Sequence, residues 1–292
     1  MGELKRVVNF NQAAKMREVD EQIQKQVDKK SKMYAGDFKR FETYCQTKGL
    51  EVSFDSLRAY LLDTIQEGFK LSTFNRRAAG VKHFLVNELG QSETDEQAKS
   101  VAFLRQIYND VEFAEQKLVR GQAAQPKDEV LHLIEKLDTR AKAISLFNLV
   151  TACRPSEMVL IKVDHIDLSN RSVNVFMKKQ KEWHNKRLTL ECVNALKSYF
   201  KKYGLKKDDY LVGEVNKGGR YISKQISDTA YRKSIHNWLG FAPYTLRKTQ
   251  VSSMHEAGAD LATIAKQSGH KNLETINKHY LSVNDRTVDK FL

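Results

Sequence analysis

The chain has 292 residues, of which 41% are hydrophobic and 29% are charged, and it contains only three prolines. This length leaves room for two domains, and the composition is that of a globular, mostly helical protein with a buried core. Lys and Arg number 49 against 36 Asp and Glu, and the resulting net charge of +13 favours a polyanionic partner such as nucleic acid.

Several classes of protein are excluded at this stage. No apolar stretch approaches the roughly twenty residues that span a bilayer, and the N-terminus lacks the apolar core of a secretory signal, which predicts a cytoplasmic protein. Cys45, Cys153 and Cys192 form no CxxC pair and should be buried, so neither a disulfide framework nor a zinc site is indicated. Because there is no P-loop and no acidic cluster for paired metal ions, we expect no cofactor and no metal.

Apolar residues recur at intervals of three and four through the first third of the chain, which predicts four amphipathic helices, the first beginning near Met33. Four such helices make one small domain, which we place at residues 17–116. The apolar stripes lie in Tyr34–Cys45, Leu57–Ile65, Phe74–Leu85 and Val101–Val111.

Residues 1–16 precede this domain and are predicted to be a flexible arm, with an extra DNA contact as the alternative. In the third helix the basic side chains lie largely off the apolar face, which gives that helix a basic side. Arg76, Arg77 and Lys82 are therefore candidate contacts to a nucleic acid backbone.

The helical period breaks at residues 117–128, where a glycine, a proline and few apolar residues predict an interdomain linker. A second domain is predicted at 129–292. Alternating apolar residues predict a first strand that Lys178 ends. A second strand is predicted at Arg187–Leu190, and only helices are predicted after Glu191. The expected fold class is mainly α with a small antiparallel β-sheet.

The segment ACRPSE places Arg154 at the start of a predicted helix, shortly before Glu157. An arginine at a helix N-terminus can present its planar fork to a phosphate, while backbone N–H groups favour the same anion. An ion pair between Arg154 and Glu157 is the alternative interpretation.

Three further segments hold residues suited to phosphate chemistry. MKKQKEWHNKR carries five basic residues and one acidic residue between two strand-like runs. PYTLRKTQ contains Arg247, SGH contains His270, and Tyr280 follows that histidine by ten positions. Two arginines and a histidine can neutralise the charge that develops on a phosphodiester when a tyrosine attacks it.

In its order and spacing, this set resembles the catalytic residues of tyrosine site-specific recombinases of the phage integrase type. The resemblance implies that Arg154, Arg247 and His270 contact the scissile phosphate and that Tyr280 is the nucleophile. It also implies that the N-terminal four-helix domain is a core-binding domain, and that the C-terminal domain is a mixed α/β catalytic domain.

In the resembled family, a lysine on a β-hairpin is the general acid for the leaving 5′ oxygen. Lys178 stands where that lysine is expected, and Lys179 is the adjacent alternative. Lys179 and Lys181 are further candidate DNA contacts. Lys181, Lys186 and Arg187 are expected to do no more than contact backbone or water.

Tyr244 stands where most members of the resembled family carry a histidine. A phenol can donate a hydrogen bond to a phosphate oxygen, but with a reference pKa of about 10 it cannot shuttle a proton near neutral pH. For two more residues of the set a purely structural role stays open. His270 is alternatively a helix-cap or core residue, and Tyr280 alternatively packs on an apolar face with Leu273 and Ile276.

The resemblance implies a recombinase that cleaves DNA through a 3′-phosphotyrosyl bond, releases a 5′ hydroxyl and rejoins the strands without a metal or ATP. Its partners would be double-stranded DNA with inverted-repeat sites and further copies of itself in a tetramer, with no membrane and no small-molecule substrate. The setting would be the nucleoid of a prokaryote, or a virus, and the tail at residues 284–292 would dock on a neighbouring protomer. Two rival functions use the same fold: a catalytically silent DNA-binding protein, and a strand transferase like a telomere resolvase or type IB topoisomerase.

Overall fold

A computed structural model of the chain describes residues 10–117 and 122–280, with side chains from residue 15 up to residue 277. Two compact units divide the chain, one within residues 1–119 and one within residues 120–292. In the described residues, none of the helices combines the length and the apolar character that crossing a membrane requires.

The first unit is helical throughout its described part. Its helices are α1 (Phe10–Lys48), α2 (Phe54–Gln66), α3 (Leu71–Asn87), α4 (Asp95–Ile107) and α5 (Ala114–Lys117), with a 3₁₀ turn at Val111–Phe113.

The four predicted helices are confirmed, but the first is much longer than predicted. Helix α1 begins at Phe10 and therefore includes part of the segment that was predicted to be a flexible arm. Almost all of residues 15–32 are exposed, so no apolar stripe is buried there. Lys, Gln and Glu dominate this stretch, and their helix propensity favours a helix without burial.

Helices α1 to α4 enclose one apolar core. Side-chain caps fix where two of these helices begin: Ser53 accepts a hydrogen bond from the backbone of Ser56 at the start of α2, and Thr94 and Gln97 form a reciprocal capping box at α4. The fully buried side chains of the core include Phe41, Leu57, Phe74 and Leu85.

The second unit is mixed, as predicted, and the fold class is confirmed as mainly α with a small antiparallel sheet. A 3₁₀ turn lies at Val163–His165. The elements are α6 (Lys127–Glu135), α7 (Thr139–Thr151), α8 (Pro155–Met158), β1 (Ile166–Asp167), β2 (Ser172–Met177), β3 (Glu182–Arg187), α9 (Leu190–Tyr203), β4 (Glu214–Val215), β5 (Tyr221–Ile222), α10 (Asp228–Leu239), α11 (Pro243–Glu256), α12 (Leu261–Ser268) and α13 (Leu273–Tyr280).

Strands β1, β2 and β3 form an antiparallel sheet in that order. Ser172 pairs with Arg187 and Met177 pairs with Glu182, so a tight turn joins β2 to β3. The predicted second strand at 187–190 is wrong, because Thr189 is the N-cap of α9 and its side chain accepts the Cys192 N–H. The strand therefore lies earlier in the chain than its apolar residues indicated.

The prediction of helices alone after Glu191 is also wrong. Strands β4 and β5 pair as an antiparallel hairpin. Each has only two residues, so neither carries the alternation that identifies a strand in sequence.

Helix α7 runs through the centre of the second core, and every residue from Ala143 to Thr151 is buried. Polar groups inside this core are paired. Nδ2 of Asn148 donates to Cys153 O at 2.9 Å, and Oη of Tyr231 donates to Oδ1 of Asn148 at 2.8 Å. The C-terminal end of α7 is thereby fixed inside the unit, and the candidate site begins there. Cys153, like the other two cysteines, is buried and free, as predicted.

Candidate active site

Arg154 lies in the tight connection between α7 and α8. Helix α7 ends with Ala152 in a left-handed conformation (φ 48°), and Arg154 is the N-cap residue of α8. Nη1 of Arg154 donates to Oε1 of Glu157 at 2.8 Å, and the Arg154 backbone N–H donates to Oε2 at 2.8 Å. The ion pair with Glu157 is therefore present. Because a guanidinium has five N–H donors, this pairing leaves donors for an anion.

Arg247 is completely buried on α11 and is held by backbone carbonyls. Its Nη1 donates to Ala152 O at 2.5 Å and to Ser268 O at 2.9 Å. These carbonyls lie at the C-terminal ends of α7 and α12, where helix carbonyls lack intrahelical partners. The guanidinium thus connects three helices. Since carbonyls are neutral, these two bonds hold the guanidinium without reducing its positive charge.

His270 follows the end of α12 and is 8% exposed. Its Nε2 lies 2.8 Å from Nη2 of Arg247, and its Nδ1 lies 2.7 Å from Oγ of Ser268. Arginine only donates, so we assign Nε2 as the acceptor and Nδ1 as the protonated atom, which donates to Ser268. Oγ of Ser268 in turn donates to Ile264 O at 2.7 Å. The structure thus brings His270 and Arg247 together in one continuous chain of hydrogen bonds.

The same surroundings keep His270 neutral. Burial lowers its pKa, and the charges of Arg247, Arg154 and Lys186 add to this effect, so that the pKa falls to about 3. At neutral pH the imidazole is therefore an uncharged ring that accepts a hydrogen bond from Arg247. It orients that guanidinium and adds no second charge.

The turn before His270 contacts the β2–β3 hairpin. Gly269 has φ 75°, and a Cβ at this position would collide with the Met177 side chain at the end of β2. Nε2 of Gln180 donates to Gly269 O at 2.9 Å. These two contacts join the turn that carries Lys178 to the turn that carries His270.

Lys178 and Lys179 lie in this hairpin turn, and both are exposed. Lys181 is also exposed and has a left-handed backbone (φ 57°). The acidic residue of the segment, Glu182, forms an ion pair with Lys271 at 3.3 Å. The hairpin therefore presents lysines to solvent beside the buried Arg247 network, although the choice between Lys178 and Lys179 stays a prediction.

Lys186 was missed by sequence reasoning. It was expected to contact the DNA backbone or water, and this expectation is wrong, because the side chain is completely buried. Its Nζ donates to Thr151 O at 2.8 Å and to Ser268 O at 3.3 Å. The sequence did hold one signal for this burial. Side chains alternate between the two faces of a strand, so Lys186 lies on the same face as the buried Leu188.

Tyr244 is half-buried in the first turn of α11, one helical turn before Arg247. This spacing puts the two side chains on the same side of the helix. The guanidinium carbon of Arg232, on α10, lies 5.3 Å from the centre of the Tyr244 ring. The described contact of Tyr244 is thus with Arg232, its position on α11 is one turn before Arg247, and its role stays a prediction.

Tyr280 is the last residue of α13, and its side chain lies outside the described residues. Helix α13 packs through Ile276, which is completely buried in a cluster with Val251 of α11 and Ile264 of α12. The helix is thus anchored to the two elements that carry Arg247 and precede His270. The assignment of Tyr280 as nucleophile stays a prediction, and the predicted docking tail also lies outside the described residues.

Two candidate DNA contacts of the first unit pair with carboxylates. Nε of Arg76 donates to Oδ2 of Asp37 at 2.8 Å. Lys82 forms an ion pair with Glu93. Each charge is therefore partly compensated within the unit.

The third candidate, Arg77, packs against an aromatic ring. Its guanidinium carbon lies 4.1 Å from the centre of the Phe69 ring, and Nη1 donates to Oγ1 of Thr64 at 2.9 Å. Such stacking stabilises the unit and restrains the side chain. The DNA contacts proposed for Arg76, Arg77 and Lys82 stay predictions.

Comparisons with known proteins agree with the motifs. The phage integrase family model matches residues 125–287. The tyrosine recombinase XerC of Staphylococcus carnosus is 25% identical over 273 residues, covering 89% of this chain and 88% of that protein. The tyrosine recombinase XerC of Corynebacterium efficiens is 26% identical over 252 residues, covering 82% of this chain and 77% of that protein.

Solved structures share the fold at low sequence identity. The XerH site-specific recombinase bound to its difH substrate has a TM-score of 0.56 at 15% identity, covering 87% of this chain and 75% of that one. The Tn1549 transposon integrase in complex with circular intermediate DNA has a TM-score of 0.56 at 14% identity, covering 90% and 98%. Because the family model spans more than half of the sequence and includes Arg154, Arg247 and His270, the chain belongs to the phage integrase family of tyrosine recombinases.

Proposed function

We propose that this protein is a site-specific DNA recombinase that cleaves and rejoins DNA through a covalent bond to Tyr280. The observation that carries the proposal is the buried guanidinium of Arg247, held by two neutral carbonyls beside His270. Charge develops on the non-bridging oxygens of a phosphodiester during attack, and a preorganised cation stabilises that charge without moving. Arg154, in the loop that also supplies the Ala152 carbonyl, would be the second cation.

The chemistry follows from this arrangement. Oη of Tyr280 attacks phosphorus, the bond from phosphorus to the 5′ oxygen breaks, and the phenolic proton passes to water. The Lys178 ammonium gives a proton to the leaving 5′ oxygen. A 5′ hydroxyl of the partner strand then attacks the phosphotyrosine and restores the phenol. One phosphodiester is exchanged for another, so the step requires no ATP.

Tyr244 has a positioning role in this proposal. Its place one turn before Arg247 allows its hydroxyl to donate a hydrogen bond to a non-bridging oxygen. A phenol at that place helps to orient the phosphate, and it leaves proton transfer to other groups.

The proposed partner is duplex DNA. The net charge of +13 supports this, as does the fold shared with two recombinases whose structures contain DNA. Exchange of strands between two duplexes needs one nucleophile for each of four strand ends. We therefore propose a tetramer on two sites, each built as an inverted repeat.

The proposal is tested with duplexes selected from a random-sequence pool by binding to the purified protein. A nick is then placed at each successive position of the duplex. When the protein cleaves close to the nick, the short fragment that carries the 5′ hydroxyl diffuses away, and the covalent intermediate is trapped. We expect an SDS-resistant protein–DNA adduct with one nick position, formed equally in EDTA and in magnesium. Selection of a tight-binding duplex with no adduct at any nick would indicate the silent DNA-binding protein. Relaxation of supercoiled plasmid by a monomer, without strand exchange, would indicate the topoisomerase.

A further inference from the structure

Lys186 is the feature of the second unit that the proposed chemistry leaves unused. Its side chain is completely buried, and the Nζ atom donates to carbonyls at the ends of two different helices, Thr151 O of α7 and Ser268 O of α12. Arg247 donates to the same Ser268 carbonyl. Two buried cations therefore share one acceptor, although their charges repel each other.

Burial of a lysine is unfavourable, because the ammonium loses its hydration. Burial is accordingly the main cause that lowers the pKa of Lys186. Cys153 and Glu157 act in the opposite direction, and the nearby Arg247 charge adds a smaller lowering of that pKa. An apolar residue of similar length would avoid this cost but would remove a donor from the Thr151 carbonyl, so the two effects on stability oppose each other. Stability alone therefore does not account for a lysine at this position.

Function does account for it. Arg154 follows Thr151 by three residues, and His270 follows Ser268 by two, so Lys186 bonds to the chain just before each of these residues. We propose that Lys186 is a positioning residue, which fixes the relative placement of the Arg154 loop and the His270 turn. The inference rests on the proposed cleavage reaction.

A role as general acid is excluded by this geometry. The ammonium of Lys186 is committed to two carbonyls inside the protein, whereas Lys178 is exposed on the hairpin turn next to the same site. A general acid must reach the leaving oxygen within hydrogen-bond distance. Lys186 acts on other residues of the site and Lys178 acts on the DNA.

The first test compares Lys186→Met with wild type, since methionine keeps the length of the side chain and removes its charge and donors. We expect a melting temperature close to that of wild type, because the loss of a buried charge offsets the loss of the donor to the Thr151 carbonyl. Half-site affinity should change less than about threefold, whereas single-turnover adduct formation should fall at least about tenfold, as misplacement of reacting groups entails. Lys186→Arg, which keeps the charge and the donors, should recover part of the rate.

The second test separates positioning from proton donation. A duplex with sulfur in place of the leaving 5′ oxygen needs no general acid, because a thiolate leaves unprotonated near neutral pH. The substitution should rescue Lys178→Met and should not rescue Lys186→Met.

The outcomes distinguish failure of the positioning role from failure of the proposed function. Lys186→Met that is folded and cleaves at the wild-type rate would overturn the positioning role, as would rescue of Lys186→Met by sulfur. If Lys186→Met fails to fold, the decision rests on Lys186→Arg, and loss of cleavage that sulfur rescues in that variant would also overturn it. Wild-type protein that forms no adduct on any nicked duplex contradicts the proposed function itself.

Discussion

Two candidate basic residues of the first unit and Arg247 of the second unit have different kinds of partner. In the first unit, Arg76 and Lys82 pair with the carboxylates of Asp37 and Glu93. In the second unit, the described contacts of Arg247 include two backbone carbonyls and an uncharged imidazole, which are neutral acceptors. A carboxylate largely cancels the electrostatic field of a cation. A carbonyl accepts hydrogen bonds from the cation and does not neutralise its charge. The difference teaches that the number of basic residues in a unit is a poor measure of the charge it offers to a phosphate.

Arg154 lies between these two cases. It pairs with the buried carboxylate of Glu157, yet it stands next to the carbonyl-held Arg247 network. The pair fixes the side chain in place and reduces its net charge. Arg247 should therefore provide more of the electrostatic stabilisation, and Arg154 more of the directional contact.

The largest expected effect is that of Arg247→Ala. Loss of this preorganised cation should lower single-turnover adduct formation by at least about a hundredfold. The variant also leaves buried carbonyls without a donor, so its melting temperature should fall. Measurements at saturating DNA and below the melting temperature separate the two effects. A cleavage rate near that of wild type would show that Arg247 stabilises the fold and has no part in the reaction.

Arg154→Ala tests a cation that, unlike Arg247, is described in an ion pair with a carboxylate, that of Glu157. Cleavage should fall by about a hundredfold, the scale for one lost oxyanion donor. Stability should also fall, because the carboxylate of Glu157 is left buried without its partner. Adding Glu157→Gln to Arg154→Ala should recover stability without recovering cleavage. Recovery of both would mean that Arg154 serves only to compensate Glu157.

Arg154 and Arg247 could be predicted from the sequence because the spacing within a motif identifies them, and that spacing does not depend on how the chain packs. Other features depend on packing. The burial of Lys186 was missed because lysine is nearly always solvent-exposed. The one sequence feature against that expectation is its spacing of two residues from Leu188, which puts both side chains on the inward face. The extent of α1 was missed because its first half buries nothing, and the second strand was misplaced because Thr189 caps a helix.

Tyr244→Phe should have an intermediate effect. Loss of one hydrogen bond to the transition state should cost about 1 to 3 kcal/mol in single-turnover cleavage. Tyr244→His restores the residue more common in the family and should leave cleavage active. If Tyr244→Phe cleaves like wild type, then the hydroxyl makes no contact that strengthens during the reaction, and the tyrosine is a packing residue of α11.

The smallest expected effect on DNA is that of Arg77→Gln. Its stacking on Phe69 should contribute about 1 kcal/mol to stability, so the variant should melt earlier. Because the stacking and the hydrogen bond to Thr64 restrain the guanidinium, the salt dependence of DNA affinity should change less than on loss of an exposed lysine. Lys179→Gln is the matched control, since loss of one exposed phosphate contact should reduce the salt slope by about 0.9. Equal changes in both variants would show that Arg77 contacts DNA as well.

The central claim is that a tyrosine on α13 forms the covalent bond beside a centre of carbonyl-held cations. It is tested most directly by digesting the trapped adduct and identifying the modified residue by mass spectrometry. We expect the nucleotide on the peptide that contains Tyr280, and no adduct from a folded Tyr280→Phe variant that still binds DNA. An adduct on another residue, or one that persists in Tyr280→Phe, would contradict the account.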